Sequence, residues 1–120
     1  MSALAGKRIL LVEDEPAVAM MVEDMLADMG CEPVGPAFRL EEALVLARDS
    51  EFDAAVLDVN IGGRPSTGIA ATLAERGLPF LFATGYGRAG LPPGWEGAAV
   101  LQKPYTQAEL ADALERCLSG

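Results

Sequence analysis

The chain holds 120 residues, half of them apolar, with 18 acidic side chains against 9 basic ones and no histidine, for a net charge of −9. A surface of that sign is repelled by a phosphate backbone, two isolated cysteines without histidine make no zinc site, and the apolar runs are too short for a bilayer. Direct nucleic-acid binding, structural zinc and membrane embedding drop out. The length suits a single domain over residues 1–120 with its own core, and Cys31 and Cys117 without a signal peptide predict a reducing, cytoplasmic setting.

The first strand-like run, Arg8 to Val12, leads into the acidic pair Glu13-Asp14. Pro16 then opens a helix in which Val18, Met21, Val22, Met25, Leu26 and Met29 recur at helical spacing up to Gly30. The methionines in that stripe are expected in the core rather than in a cofactor or partner groove. A short strand, Glu32 to Val34, precedes a second helix marked by Leu40, Ala43, Leu44 and Ala47. Ala54 to Leu57 forms the third strand and runs into Asp58, with Asn60 and Gly62-Gly63 just after it. The third helix, Ile69 to Arg76, stops at Gly77, and the fourth strand, Phe80 to Ala83, ends at Thr84.

Where alternation calls for a fourth helix, the stretch from Gly85 to Gly97 holds Gly85, Gly87, Gly90, Gly94, Gly97 and Pro92-Pro93. Glycine costs about 1 kcal/mol and proline about 3 kcal/mol inside a helix, so a loop or one irregular turn is expected there. The last strand, Ala98 to Gln102, meets Lys103-Pro104, and Thr106 with Glu109 forms a capping box ahead of Leu110, Leu114 and Leu118.

Strands alternating with helices predict an α/β fold, a mostly parallel sheet with helices on both faces. The strands' carboxyl edge, where such sheets bind ligands, then gathers Glu13, Asp14, Asp58 and Lys103. Clustered carboxylates repel unless a cation compensates them, which points to a metal; a lysine among them points to an anion, phosphate first. Oxygen-only donors suit a divalent cation. Asp14 ahead of Glu15-Pro16 also reads as a helix cap and Asn60 as a turn former, so both keep two readings. Asp58 is harder to explain structurally, because a carboxylate closing a buried apolar strand needs a partner.

Taken in order, Glu13-Asp14, Asp58 with Asn60, Thr84 followed by Gly85, and Lys103-Pro104 resemble the receiver domain of two-component response regulators over essentially the whole chain. The resemblance implies a doubly wound five-stranded parallel sheet in the flavodoxin-like order 2-1-3-4-5. It also implies that Asp58 accepts a phosphoryl group from a sensor histidine kinase or phosphotransfer protein. Asp14 and Asp58 would bind Mg²⁺ directly, Glu13 through water and Asn60 through its main chain, while Thr84 and Lys103 would hold the phosphoryl oxygens. Such a domain is no conventional enzyme; it assists its own phosphorylation and dephosphorylation and signals to a downstream protein, with a phosphorylation-dependent dimer left open.

Receivers usually carry Tyr or Phe three residues before the lysine, where this chain has Val100. The run Pro79 to Gly87, with Phe82-Ala83-Thr84-Gly85 inside it, resembles a subgroup whose segment after the fourth strand is irregular or mobile, and this implies Tyr86 as the aromatic that responds. Two other readings stand beside this one. The first is a phosphate sink or docking module that modulates a kinase without a conventional output. The second, a phosphatase or nucleotide-binding enzyme, is disfavoured: no Gly-rich phosphate loop comes after the first strand, and Asp58-Val59-Asn60 lacks a second aspartate.

Overall fold

The computed structural model describes residues 3–119. Strands β1 (Arg8–Val12), β2 (Glu32–Ala37), β3 (Ala54–Asp58), β6 (Phe80–Thr84) and β7 (Val100–Gln102) form one parallel sheet in the order β2-β1-β3-β6-β7. Helices α1 (Pro16–Asp28), α2 (Leu40–Asp49), α3 (Thr67–Arg76) and α4 (Gln107–Ser119) cover its two faces. For the five sheet strands this is the expected order 2-1-3-4-5. Two further strands, β4 (Asn60–Ile61) and β5 (Arg64–Pro65), make a small antiparallel hairpin outside the sheet.

The central strands are continuously apolar because each feeds two cores in alternation. Ile9, Leu11, Val56 and Leu81 pack with α1 and α4; Leu10, Val12, Leu57 and Phe82 pack with α2 and α3. Full burial of a side chain of this size stabilises the fold by roughly 1.5–3 kcal/mol, so neither face tolerates a slip of register.

Several boundaries differ from expectation. β2 runs on to Ala37, carried past Val34 by an irregularity at Gly35. Gly35 has φ +91°, and a Cβ there would lie 2.8 Å from the Ala37 nitrogen, so only glycine fits. The last strand starts at Val100 rather than Ala98, because the Ala98 N–H is turned to the Trp95 carbonyl at 3.0 Å. The glycine-rich stretch holds a single 3-10 turn, Gly87–Gly90, in place of a helix. Beyond that turn Trp95 anchors the chain to the sheet, its ring edge-on to Phe80 and Phe82 at 5.8 and 6.0 Å. The capping box forms as expected, with Thr106 N–H to Glu109 Oε1 at 2.9 Å and Glu109 N–H to Thr106 Oγ1 at 3.1 Å.

The expected core placement holds for Met25 and Met29, which pack against the core shared by α1 and α4, but not for Met21. α1 buries Ala19, Val22 and Leu26, whereas Met21 is 57% exposed and Met25 and Met29 are half-buried. Met21 therefore belongs to the surface.

Candidate functional site

Strand ends bring the site together. β3 and β6 each run one residue longer than expected and finish on Asp58 and Thr84 themselves, while Glu13 comes just after β1 and Lys103 just after β7. Their backbones are fastened in register by Glu13 N–H to Ala37 O (3.0 Å), Val59 N–H to Ala83 O (3.2 Å) and Lys103 N–H to Thr84 O (2.9 Å).

Carboxylate oxygens of Glu13, Asp14 and Asp58 lie within 4.8 Å of one another. Lys103 Nζ donates to Asp58 Oδ1 at 2.8 Å and to Glu13 Oε1 at 3.0 Å, and both carboxylates are buried. Glu13 Oε2 accepts the Glu15 N–H at 3.0 Å. Asp14 caps no helix, as the N-cap of α1 is Glu15, which makes no side-chain cap bond. Instead Asp14 Oδ2 accepts the Gly62 N–H from the tip of the β4–β5 hairpin at 2.8 Å, which orients it toward the cluster.

One ammonium shared by two buried carboxylates cannot neutralise both. Burial, with Glu13 adding to it, pushes the Asp58 carboxyl up to about 7 against the opposing pull of Lys103. Burial works against the Lys103 ammonium as well, but Asp58 and then Glu13 outweigh it and hold its pKa above the ordinary lysine value. Three carboxylates and one ammonium leave two negative charges unbalanced in an all-oxygen pocket, the charge and donor type that a small divalent cation matches.

The cluster opens into a cleft of about 290 Å³ whose walls include Asn60, Thr84 and Gly90. Thr84 is buried, and its Oγ1 accepts the Tyr86 N–H at 3.2 Å, which closes a local turn at the strand end. Tyr86 sits on the rim, 81% exposed. Val100 is not in this cleft; it lines a separate one with Ala99, Arg116 and Cys117.

Three contributors escaped the sequence reading. Gly62 orients Asp14. Gly90 lies so close to Thr84 that a Cβ there would come within 2.3 Å of Oγ1. Ser66, fully buried, donates from its hydroxyl to the main-chain carbonyls of Asp58 and Val59. The hairpin behind Gly62 had a legible signal, a Gly62-Gly63 pair between Asn60-Ile61 and Arg64-Pro65, with both glycines at positive φ as a tight two-residue turn requires.

The family pattern of the response regulator receiver domain matches residues 9–115. Transcriptional regulatory protein PdtaR of Mycobacterium tuberculosis is 30% identical over 121 aligned residues, which cover 98% of this chain but 59% of that protein. SdrG of Sphingomonas melonis Fr1 is 45% identical over 98% of this chain and 99% of its own, with a TM-score of 0.82, and its BeF3-activated conformation gives 0.79. The receiver domain of sensor histidine kinase PA1611 from Pseudomonas aeruginosa, solved with a magnesium ion coordinated in its active site cleft, adds likeness of fold. It is 24% identical with a TM-score of 0.80, over 97% of this chain and all of its own. With the strand order, the acidic cluster and a family match over nearly its whole length, the chain belongs to the response regulator receiver domains of two-component systems.

Proposed function

We propose that this receiver takes a phosphoryl group onto Asp58 from a phosphohistidine of a sensor histidine kinase or phosphotransfer protein. The observation that carries this reading is the 2.8 Å contact of Lys103 Nζ with Asp58 inside a pocket that keeps excess negative charge. An oxygen of the Asp58 carboxylate attacks phosphorus, the N–P bond breaks, and its electron pair leaves with the imidazole. No base is needed once Asp58 is ionised, the form that a cation bound in the pocket would favour. Lys103 and the Thr84 hydroxyl lie where charge builds on the phosphoryl oxygens, and fixed donors there lower the barrier. Asp14, Asp58, the Asn60 carbonyl and, through water, Glu13 would hold Mg²⁺. When bound, the ion offsets the excess carboxylate charge and that of the transferring group. The likeness to SdrG, which has a BeF3-activated conformation, supports the assignment.

The test is direct. Incubated with Mg²⁺ and acetyl phosphate, the protein gains one acid-stable, alkali-labile phosphoryl adduct by intact mass, and Asp58→Asn gains none. No adduct on the wild-type chain, or an adduct that persists in Asp58→Asn, sinks the reading.

We place the donor's seat beside α1. An apolar cleft of about 310 Å³ beside α1 is lined by Val18, Met21, Met25, Pro104 and Tyr105, and Lys103 borders both it and the phosphate cleft. A protein docked there brings its imidazole to the mouth of the Asp58 pocket. Met21→Asp is expected to slow transfer from a kinase or phosphotransfer protein about tenfold, as loss of one central apolar anchor does. Labelling by acetyl phosphate stays unchanged; equal loss with both donors would place Met21 in the fold rather than in docking.

Signalling then runs through protein contacts of one receiver unit acting in the cytoplasm. We place the chain in the subgroup marked by Phe82-Ala83-Thr84-Gly85, with the segment after Thr84 as the responding element and Tyr86, already in solvent, as its aromatic.

A further inference from the structure

We infer that Ser66 is a positioning residue of the phosphoryl site: its buried hydroxyl clamps the backbone that carries Asp58 and Asn60. The inference rests on the assignment of Asp58 and Asn60 to phosphate and Mg²⁺. Ser66 is the N-cap of α3, where a serine ordinarily turns its oxygen onto an amide of the first helical turn. Here it makes no such bond. Helix start is secured by the Ser66 main chain alone, whose carbonyl accepts the Ile69 and Ala70 N–H groups at 3.1 and 3.2 Å. The hydroxyl points the other way, its one proton shared between the carbonyls of Asp58 and Val59, the latter at 3.0 Å.

The consequence lies in the connection between those residues. From Asp58 to Ser66 the chain makes the β4–β5 hairpin, with Asn60 on its first strand. Ser66 closes the base twice, through its hydroxyl and through its N–H to Val59 O at 2.8 Å. Asp14 holds the tip through Gly62. A side-chain ligand can reorient about its own bonds, but a main-chain carbonyl such as that of Asn60 is aimed only by its backbone. Ser66 and Asp14 pin that backbone at its two ends. The Ser66 contact also fixes the peptide next to the Asp58 carboxylate, so both directly ligating groups on this segment depend on it.

Mg²⁺ binding to the purified chain by isothermal titration calorimetry tests this. Ser66→Ala is expected to weaken Mg²⁺ about tenfold, the scale of losing an orienting contact behind a ligand. Leu114→Ala, which thins the core on the opposite face of the sheet, serves as the control and keeps wild-type affinity while losing stability. Ser66→Thr, which retains the donor, recovers affinity where it folds. Wild-type Mg²⁺ affinity in Ser66→Ala overturns the clamp and leaves Ser66 a merely satisfied buried hydroxyl; so does a loss matched by Leu114→Ala. A wild-type chain that binds no Mg²⁺ overturns the functional reading itself, and the clamp with it.

Discussion

Asp58→Asn is expected to raise the melting temperature of the Mg²⁺-free protein at pH 8 by about 4 °C, although it removes the proposed phosphoacceptor. The reason is the raised Asp58 carboxyl, pushed up to about 7 by burial and then by Glu13. A carboxyl whose folded value lies above its unfolded value binds its proton more tightly when folded. Its contribution is complete below the ordinary carboxylate range and is lost as pH climbs through about 7. At pH 8 the pocket therefore holds an anion it disfavours. Each unit of displacement corresponds to about 1.4 kcal/mol, an upper bound that the cleft's solvent and the shared Lys103 reduce to about 1–2 kcal/mol in all. Asparagine carries no charge and its carbonyl oxygen still accepts from Lys103, so the variant avoids the penalty. The difference between the two proteins should vanish near pH 4. Mg²⁺ acts in the opposite sense, stabilising the wild type by about 2.7 kcal/mol at a hundredfold excess over Kd and the asparagine variant far less. Thermal scans at both pH values, with and without Mg²⁺, check all of this. An Asp58→Asn protein less stable than wild type at pH 8 without metal would mean that Lys103 already neutralises the pocket.

How far the site could be read in advance depends on what places each residue. Glu13, Asp14, Asp58 and Lys103 were legible because each breaks or closes an apolar run, and the parallel sheet that such runs form has one carboxyl edge to gather them. Thr84 belongs with them for the same reason. Ser66 was not legible, since only the folded chain decides that its hydroxyl faces backward to the Asp58 carbonyl rather than onto the first turn of α3. Met21 shows a different limit. Helical spacing identifies an amphipathic face, but whether a side chain lies at its buried centre, as Val22 and Leu26 do, or at its exposed edge, as Met21 does, depends on how the helix sits against the sheet. Gly35 and the lengthened β2 depend on a positive φ that composition alone does not announce.

Gly90→Ala should lift the Gly87–Gly90 turn off the sheet while leaving global stability within about 1 kcal/mol of wild type, because the turn contributes no buried residue. The added Cβ would fall 2.3 Å from Thr84 Oγ1, 3.2 Å from Thr84 Cβ and 3.1 Å from Tyr86 Cβ, so turn and threonine cannot both stay. Thr84 closes a buried strand and its main chain is tied to Lys103. The half-exposed turn is held through fewer contacts, and it is the part that yields. The Leu91 N–H, which donates to Arg88 O at 3.2 Å, reports that release, with amide exchange about tenfold faster for a loss of about 1.4 kcal/mol of local stability. Trp95, four residues further on and packed against Phe80 and Phe82, gives an optical readout of the same motion. A double-mutant cycle isolates the contact. Thr84→Ala combined with Gly90→Ala restores slow exchange at Leu91, since the 2.3 Å contact is to the hydroxyl, whereas Thr84→Ser keeps that oxygen and restores nothing. If Thr84 swings toward a phosphoryl group on Asp58, it vacates the surface on which the turn rests, and phosphorylated wild-type protein should show Leu91 exchange shifted toward that of unphosphorylated Gly90→Ala. Unchanged Leu91 exchange in Gly90→Ala would mean that the turn adjusts in place, and the coupling from Thr84 to the surface would have to run elsewhere.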